Sequence, residues 1–291
     1  MTTVLKWSIV LTLALVAAEL VGGFLGGSIA LIGDAFHNLT DVPSMALAWL
    51  ALLWAARPPS EEKTYGYHRA GILAAFTNGV LLALVALYLV WEAVERLLAP
   101  VPVSEGVMLA VAAVALVING GITLALVRGR SDLNLRSILL HNLGDALSNV
   151  AIIIGALAMR FTGARWVDPA LGLGIGALVL WSSYAILRES SHILLEGLPR
   201  HMRLEEVARA ILGVEGVQEV HDVHIWTLGA DLHALSCHVR IPDMHMDSSE
   251  RILGEIRHRL TDQFRINHTT IQFERAGPSP GRLYMPTSRR Q

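Results

Sequence analysis

The sequence predicts an α-helical membrane protein, with six transmembrane helices followed by a small α+β domain of order αββαβ. Three observations predict it. Of the 291 residues, 53% are hydrophobic and only 16% charged, outside the usual soluble range. The long apolar runs lie almost entirely before residue 198, whereas residues 199–291 carry the charge density of an ordinary soluble domain. Finally, the pattern after residue 199 changes to amphipathic helices and alternating runs. The expected division is a membrane domain at 1–198, an αββαβ domain at 199–275, and a tail, "AGPSPGRLYMPTSRRQ", at 276–291 that lacks periodicity and is expected to be disordered.

About 20 apolar residues cross the hydrocarbon, and six segments qualify: 4–25, 29–54, 70–97, 106–127, 137–159 and 168–187. The first is longer than a signal-peptide core and runs through Glu19 without a small-residue cleavage pattern, so it reads as a retained span. "GGS" at 26–28 is a tight turn, and "RPPSEEKTYGYHR" at 57–69 and "RGRSDLNLR" at 128–136 are polar loops. Pro43 removes a backbone donor from the second span and predicts a kink there. An even number of spans puts both termini on one side. Lys6, Arg57, Lys63, Arg69, Arg128, Arg130, Arg136 and Arg188 flank that side, against Arg96, Arg160 and Arg165 on the other, so the termini are expected in the cytoplasm. The lack of targeting features suits a bacterial inner membrane.

After "LLEGLP" at 194–199, "RLEEVARAIL" shows a helical stripe of Leu204, Val207, Ala208, Ile211 and Leu212. Two β-like runs follow, "VQEVHDVHIWTLG" and "DLHALSCHVRI". A helix then opens at Asp247, with Glu250 placed as in a capping box, and carries Ile252, Ile256, Leu260 and Phe264 at four-residue spacing. "TTIQFER" closes the domain as a strand, and the order suggests a small sheet with helices on one face. Cys237, the only cysteine, rules out an internal disulfide or a CxxC clip and reads as a buried strand residue. A net charge of −2 gives no reason to expect a nucleic-acid partner.

Two apolar spans repeat one phrase: "HNLTD" at 37–41 and "HNLGD" at 141–145. A histidine and a carboxylate at i and i+4 leave a helix on one face, so His37 with Asp41 and His141 with Asp145 are two half-sites. An intramembrane carboxylate is costly and marks an ion or proton route. Brought together, two imidazoles and two carboxylates are a four-ligand set for Zn²⁺, and the same mixed donors also suit Co²⁺, Cd²⁺, Mn²⁺ or Fe²⁺. The other readings are a hydrogen-bonded clasp between helices and a proton relay without metal. Asp34 shares the stripe of His37, as an acceptor fixing the imidazole, an entry group or a helix cap. Glu19 and Asn119 read as interhelical hydrogen-bonding groups. There is no HExxH or GxSxG, and no general base beyond the four ligands, so no enzyme is predicted.

"SIALIGDAFHNLTDV", "YGYHRAGILAA", "LLHNLGDALSNV" and "VHDVHIWTLG" resemble the cation diffusion facilitator family, in its zinc- and cadmium-exporting branch, over residues 4–275. The resemblance implies a homodimeric secondary transporter that expels divalent metal from the cytoplasm in exchange for protons. Its protomer would carry six transmembrane helices and a metallochaperone-like cytoplasmic domain, with the transport site on His37, Asp41, His141 and Asp145. It also implies a cytoplasmic regulatory site drawn from His221, His238, Gln272 or Glu274, and His245 of the partner subunit. Strand parity instead selects His224 with His238, so His221 and His224 stay as alternatives. Some relatives bind metal in the loop that here offers only His68, with Lys63 and Thr64 where ligands are expected; Gly71 stands where relatives often have Glu. Arg69 and Glu196 occupy the places of a charged interlock, although charges at a membrane edge are often inconsequential. His233 and His258 read as exposed histidines without a ligand role. The alternatives are export of Fe²⁺, Mn²⁺ or Ni²⁺, or a membrane-tethered metal sensor.

Overall fold

In the computed structural model, which describes residues 3–39, 57–127, 133–229, 232–275 and 283, the chain forms two compact units. One comprises Met1–Ala48 and Ala75–Leu187, the other Trp49–Ala74 and Arg188–Gln291. Asp41 and Pro43 lie outside the described residues, as does the tail apart from Leu283.

The first unit is helical: α1 (Thr3–Gly26), α2 (Ile29–Leu39), α3 (Ala70–Leu98), α4 (Glu105–Val127), α5 (Leu133–Thr162) and α6 (Val167–Leu194) match the expected order of spans. Among the described residues, Ala70–Leu98, Leu143–Thr162 and Val167–Leu194 are long and apolar enough to cross a membrane, while the apolar stretches of α1 and α4 are shorter. Their inner faces are small or aliphatic. Ala30 and Leu31 of α2 pack with Met108 and Ala112 of α4 and with Ile152, Ala156 and Met159 of α5. Ile29 and Ile32 pack on Leu89 and Ala93 of α3. The outer faces carry bare apolar side chains such as Leu84, Trp91, Val117, Leu178 and Trp181. In water that surface would drive aggregation; in a bilayer it is the solvated face.

Close backbone approach needs glycine at two positions on α1. A Cβ at Gly22 would come within 2.6 Å of Val111 Cγ2, and one at Gly23 within 2.6 Å of Ile32 Cγ1. The α1–α2 turn is locked from outside. Gly27 takes a left-handed φ of +66°, and its carbonyl accepts a hydrogen bond from Arg96 Nη1. Ser28 caps α2: its Oγ accepts from Leu31 N at 3.2 Å and donates to Asp168 Oδ1. Asp168, fully buried, also accepts from Ile29 N at 2.9 Å and Ala30 N at 3.3 Å. The first three amides of α2, orphaned by helix geometry, are thus all satisfied.

The second unit carries the αββαβ order: α7 (Leu204–Leu212), β1 (Glu219–Gly229), β2 (Leu232–Arg240), α8 (Met246–Phe264) and β3 (Ile266–Glu274). β1 pairs with β2 antiparallel, and β3 returns through α8 to pair with β2 in parallel, so the strand order is β1-β2-β3. Val207 and Ile211 of α7 and Ile252, Ile256 and Leu260 of α8 close over Val220, Val223, Ile225, Leu235, Cys237 and Val239. Leu212 departs from the expected stripe, being exposed beyond the last buried turn. The expected capping box at Asp247 does not form. Helix α8 begins one residue earlier, with His245 at its N-cap making no side-chain cap, and Asp247 falls inside the first turn, where its charge favours the helix dipole.

Candidate metal centres

In the membrane unit, α2 presents His37 and α5 presents Asp145, with His37 Nε2 3.6 Å from Asp145 Oδ1. The side chains are 32% and 7% exposed, so a carboxylate sits nearly dry beside an imidazole that keeps an open side. Two residues far apart in sequence are thereby joined, one from each repeated phrase. Of His141 only the backbone, within α5, is described, and Asp41 lies outside the described residues.

Around this pair lies a set of buried polar contacts. Ser148, one turn beyond Asp145, donates its hydroxyl to Asp34 Oδ1 at 2.6 Å, and Asp34 is one turn before His37. The structure gives Asp34 this cross-helix partner, on α5, rather than a capping role on α2. Asn38 Nδ2 donates to Glu19 Oε2 at 3.0 Å, the interhelical bond expected of Glu19. Asn149 Nδ2 donates to the Asp145 carbonyl at 2.8 Å.

In the second unit the sheet gathers a second group. His221 Nε2 is 3.1 Å from Glu274 Oε2, and His238 Nδ1 is 2.8 Å from Glu274 Oε1. His221, His238 and Glu274 can each offer one ligand atom with all three atoms within 4.8 Å of one another. They come from β1, β2 and β3 at neighbouring register positions, His221 opposite His238 and Glu274 two residues beyond the partner of His238. His224 joins through Asp222, whose Oδ1 is 3.1 Å from His224 Nε2 and whose Oδ2 is 3.8 Å from His238 Nε2.

A β-bulge explains why strand parity and the family resemblance point to different histidines, His224 and His221. The β1–β2 register slips between them, and Asp222 takes φ +51° at the extra residue. Simple alternation puts positions 221 and 224 on opposite faces; with one residue inserted, both fall on the face of Ser236 and His238. Sequence reasoning missed Asp222. A polar residue that tolerates the left-handed region, lying between two histidines in "HDVH", was the available signal.

His245 stands apart, exposed at the start of α8. His68 joins no group of three ligand-type residues among the described residues; its backbone packs instead on Gly229, where an added Cβ would come within 2.9 Å of His68 Cβ. Nearby, Tyr65 meets His268 edge-on at 5.1 Å. Arg69 Nη2 reaches Glu196 Oε1 at 3.4 Å, a half-exposed pair of small energetic weight. His233 is buried, against the expectation of exposure: its Nδ1 is 3.3 Å from Thr227 Oγ1 and its ring packs on His201. His258 is exposed and paired with Asp262 at 2.6 Å. Burial pushes the Cys237 thiol up to about 12, which removes it from the thiolate ligands.

Comparison with known proteins bears on both units. The cation efflux transmembrane domain matches residues 5–195, and the cytoplasmic domain of cation efflux proteins matches residues 199–276. The chain is 38% identical, over 93% of its length and 88% of the relative's, to a cadmium, cobalt and zinc/H⁺-K⁺ antiporter of Bacillus subtilis. It is 41% identical to the metal cation efflux system protein CzcD of Cupriavidus metallidurans, over 94% and 86% of the two chains. The zinc transporter ZitB of Escherichia coli is 38% identical, over 90% of this chain and 84% of that one.

Proposed function

The chain belongs to the cation efflux family, a family of membrane transporters rather than enzymes, and from that premise we propose that it exports Zn²⁺ from the cytoplasm in exchange for protons. Cd²⁺ and Co²⁺ are carried by the same route, in a homodimer that alternates the access of one site. The observation that carries this reading is the meeting of His37 and Asp145, 3.6 Å apart, inside a helical unit whose outer surface is apolar. Asp41 and His141 complete the site.

The chemistry follows from the donors. Metal binding needs neutral imidazole and ionised carboxylate, so metal and protons compete for the same atoms. A site facing the proton-rich side takes up protons and releases metal; turned inward, it exchanges them again. Names of the relatives support the cargo, since cadmium, cobalt and zinc stand in that of the Bacillus subtilis protein and zinc in that of ZitB.

Residues 1–198 form the transport domain in the inner membrane, residues 199–275 lie in the cytoplasm with both termini, and residues 276–291 are a tail. In the cytoplasmic domain His221, His238 and Glu274 fit a regulatory metal: their atoms lie within 4.8 Å, and the buried His221 Nδ1 has no hydrogen-bond partner among the described residues. Two imidazoles and one carboxylate leave a coordination position for His245 of the partner subunit or for water, with Asp222 and His224 beside it. The transport reading is tested by zinc flux into proteoliposomes. His37→Ala and Asp145→Ala should each lower flux at least 100-fold in folded dimers, and undiminished flux in either refutes the assignment.

A further inference from the structure

We infer that Glu19, Asp34, Asn38 and Ser148 form a polar clasp across α1, α2 and α5 that sets the register of α2 on α5, and so positions His37 against Asp145 without touching the metal. The inference rests on the transport reading above and adds the residues that hold its site in shape.

The geometry is that of two rungs between α2 and α5. One is His37–Asp145 at 3.6 Å, the other Asp34–Ser148 at 2.6 Å. Asp34 is three residues before His37 and Ser148 three residues after Asp145, so each rung lies one helical turn from the other on both helices. A sliding or rotation of α2 that spoils the first rung must also break the second. The tie to α1 is made at a third point, where Asn38, next to His37 in sequence, donates to Glu19 at 3.0 Å.

Glu19 and Asp34 are the two buried acids of this clasp, each 0% exposed. One oxygen of each is engaged, Glu19 Oε2 by Asn38 and Asp34 Oδ1 by Ser148, while Glu19 Oε1 and Asp34 Oδ2 have no hydrogen-bond partner among the described residues. Glutamine at position 19 keeps an oxygen that accepts from Asn38 Nδ2 and fills the same volume, so it preserves the tie of α1 to α2, which alanine removes. Gly23, one turn along α1, lets α1 and α2 approach closely, since a Cβ there would come within 2.6 Å of Ile32 Cγ1.

A group that holds ligands in place alters the fit of ions of different size, whereas general loosening does not. The experiment measures Zn²⁺ and Cd²⁺ transport by the full chain in proteoliposomes for Glu19→Gln, Glu19→Ala, Ser148→Ala and, as a control on the transport reading itself, His37→Ala. The expected result is that Glu19→Gln stays within about threefold of the parent, Glu19→Ala loses about 10-fold or more in zinc kcat/KM, and Ser148→Ala shifts the zinc-to-cadmium preference at least threefold. Ser148→Ala keeps the test decisive if Glu19→Ala fails to fold. The clasp is overturned if Ser148→Ala leaves the preference unchanged, or if Glu19→Gln is as impaired as Glu19→Ala. A fully active His37→Ala would instead overturn the transport site.

Discussion

At Asp222 the backbone turns into the left-handed region to accommodate one extra residue, and that single torsion decides which histidines share a face. Alternation reads β1 correctly on either side of it: Val223 and Ile225 enter the core and His224 does not. It fails only across the bulge, because period-two reasoning has no term for an inserted residue. Cys237, by contrast, sits where parity puts it, between Leu235 and Val239 in the core. Its thiol is held up to about 12 by burial, above the roughly 8.5 of an exposed cysteine. A raised value means that the folded state keeps its proton where the unfolded chain loses it. Nothing is lost below about pH 8.5, and stability falls as pH rises from there toward about 12. Alkylation by iodoacetamide at pH 8 should accordingly be slow in the folded protein and fast in denaturant; equal rates would contradict the buried placement.

Helices were legible as elements because their signals are local. The expected membrane segments recur as α1 to α6 within about four residues at the described boundaries, except that α6 runs seven residues past the expected end at 187, since a long apolar run leaves the chain no other way to satisfy its amides in lipid. How those helices are pinned was not legible. Asp168 opens α6 but serves the N-terminus of α2, 139 residues away, through Ile29 N. No window of sequence contains both partners. Replacing it, Asp168→Ala, leaves two buried amides of α2 without acceptors, for a loss of about 2–4 kcal/mol. The measurement is the thermal midpoint in detergent, which should fall; an unchanged midpoint would mean that water or another group takes over the cap. At α8 the local signal misled by two residues, since "DSSE" has the form of a capping box with Asp247 as N-cap and the N-cap is nevertheless His245.

For the molecule as a whole, the two repeated pentapeptides were visible in the sequence as half-sites, and only the family resemblance implied that their helices adjoin; in the structure His37 of α2 and Asp145 of α5 lie 3.6 Å apart. Family membership frames that adjacency: in an efflux transporter, the proposed role of the pair is to bind and release metal. The second unit gathers similar donors in a different design, in which three strands each contribute one residue to a cluster. The first candidate centre joins side chains from two helices, the second from three strands of one sheet. The central claim is that metal and proton trade places at the first of these. The most direct measurement records zinc entry and internal pH together in the same proteoliposomes, in the absence of any imposed potential. Zinc entry should be matched by proton exit in the parent, with both lost in His37→Ala. Zinc that enters without moving protons, or a His37→Ala protein that moves both, would contradict the account.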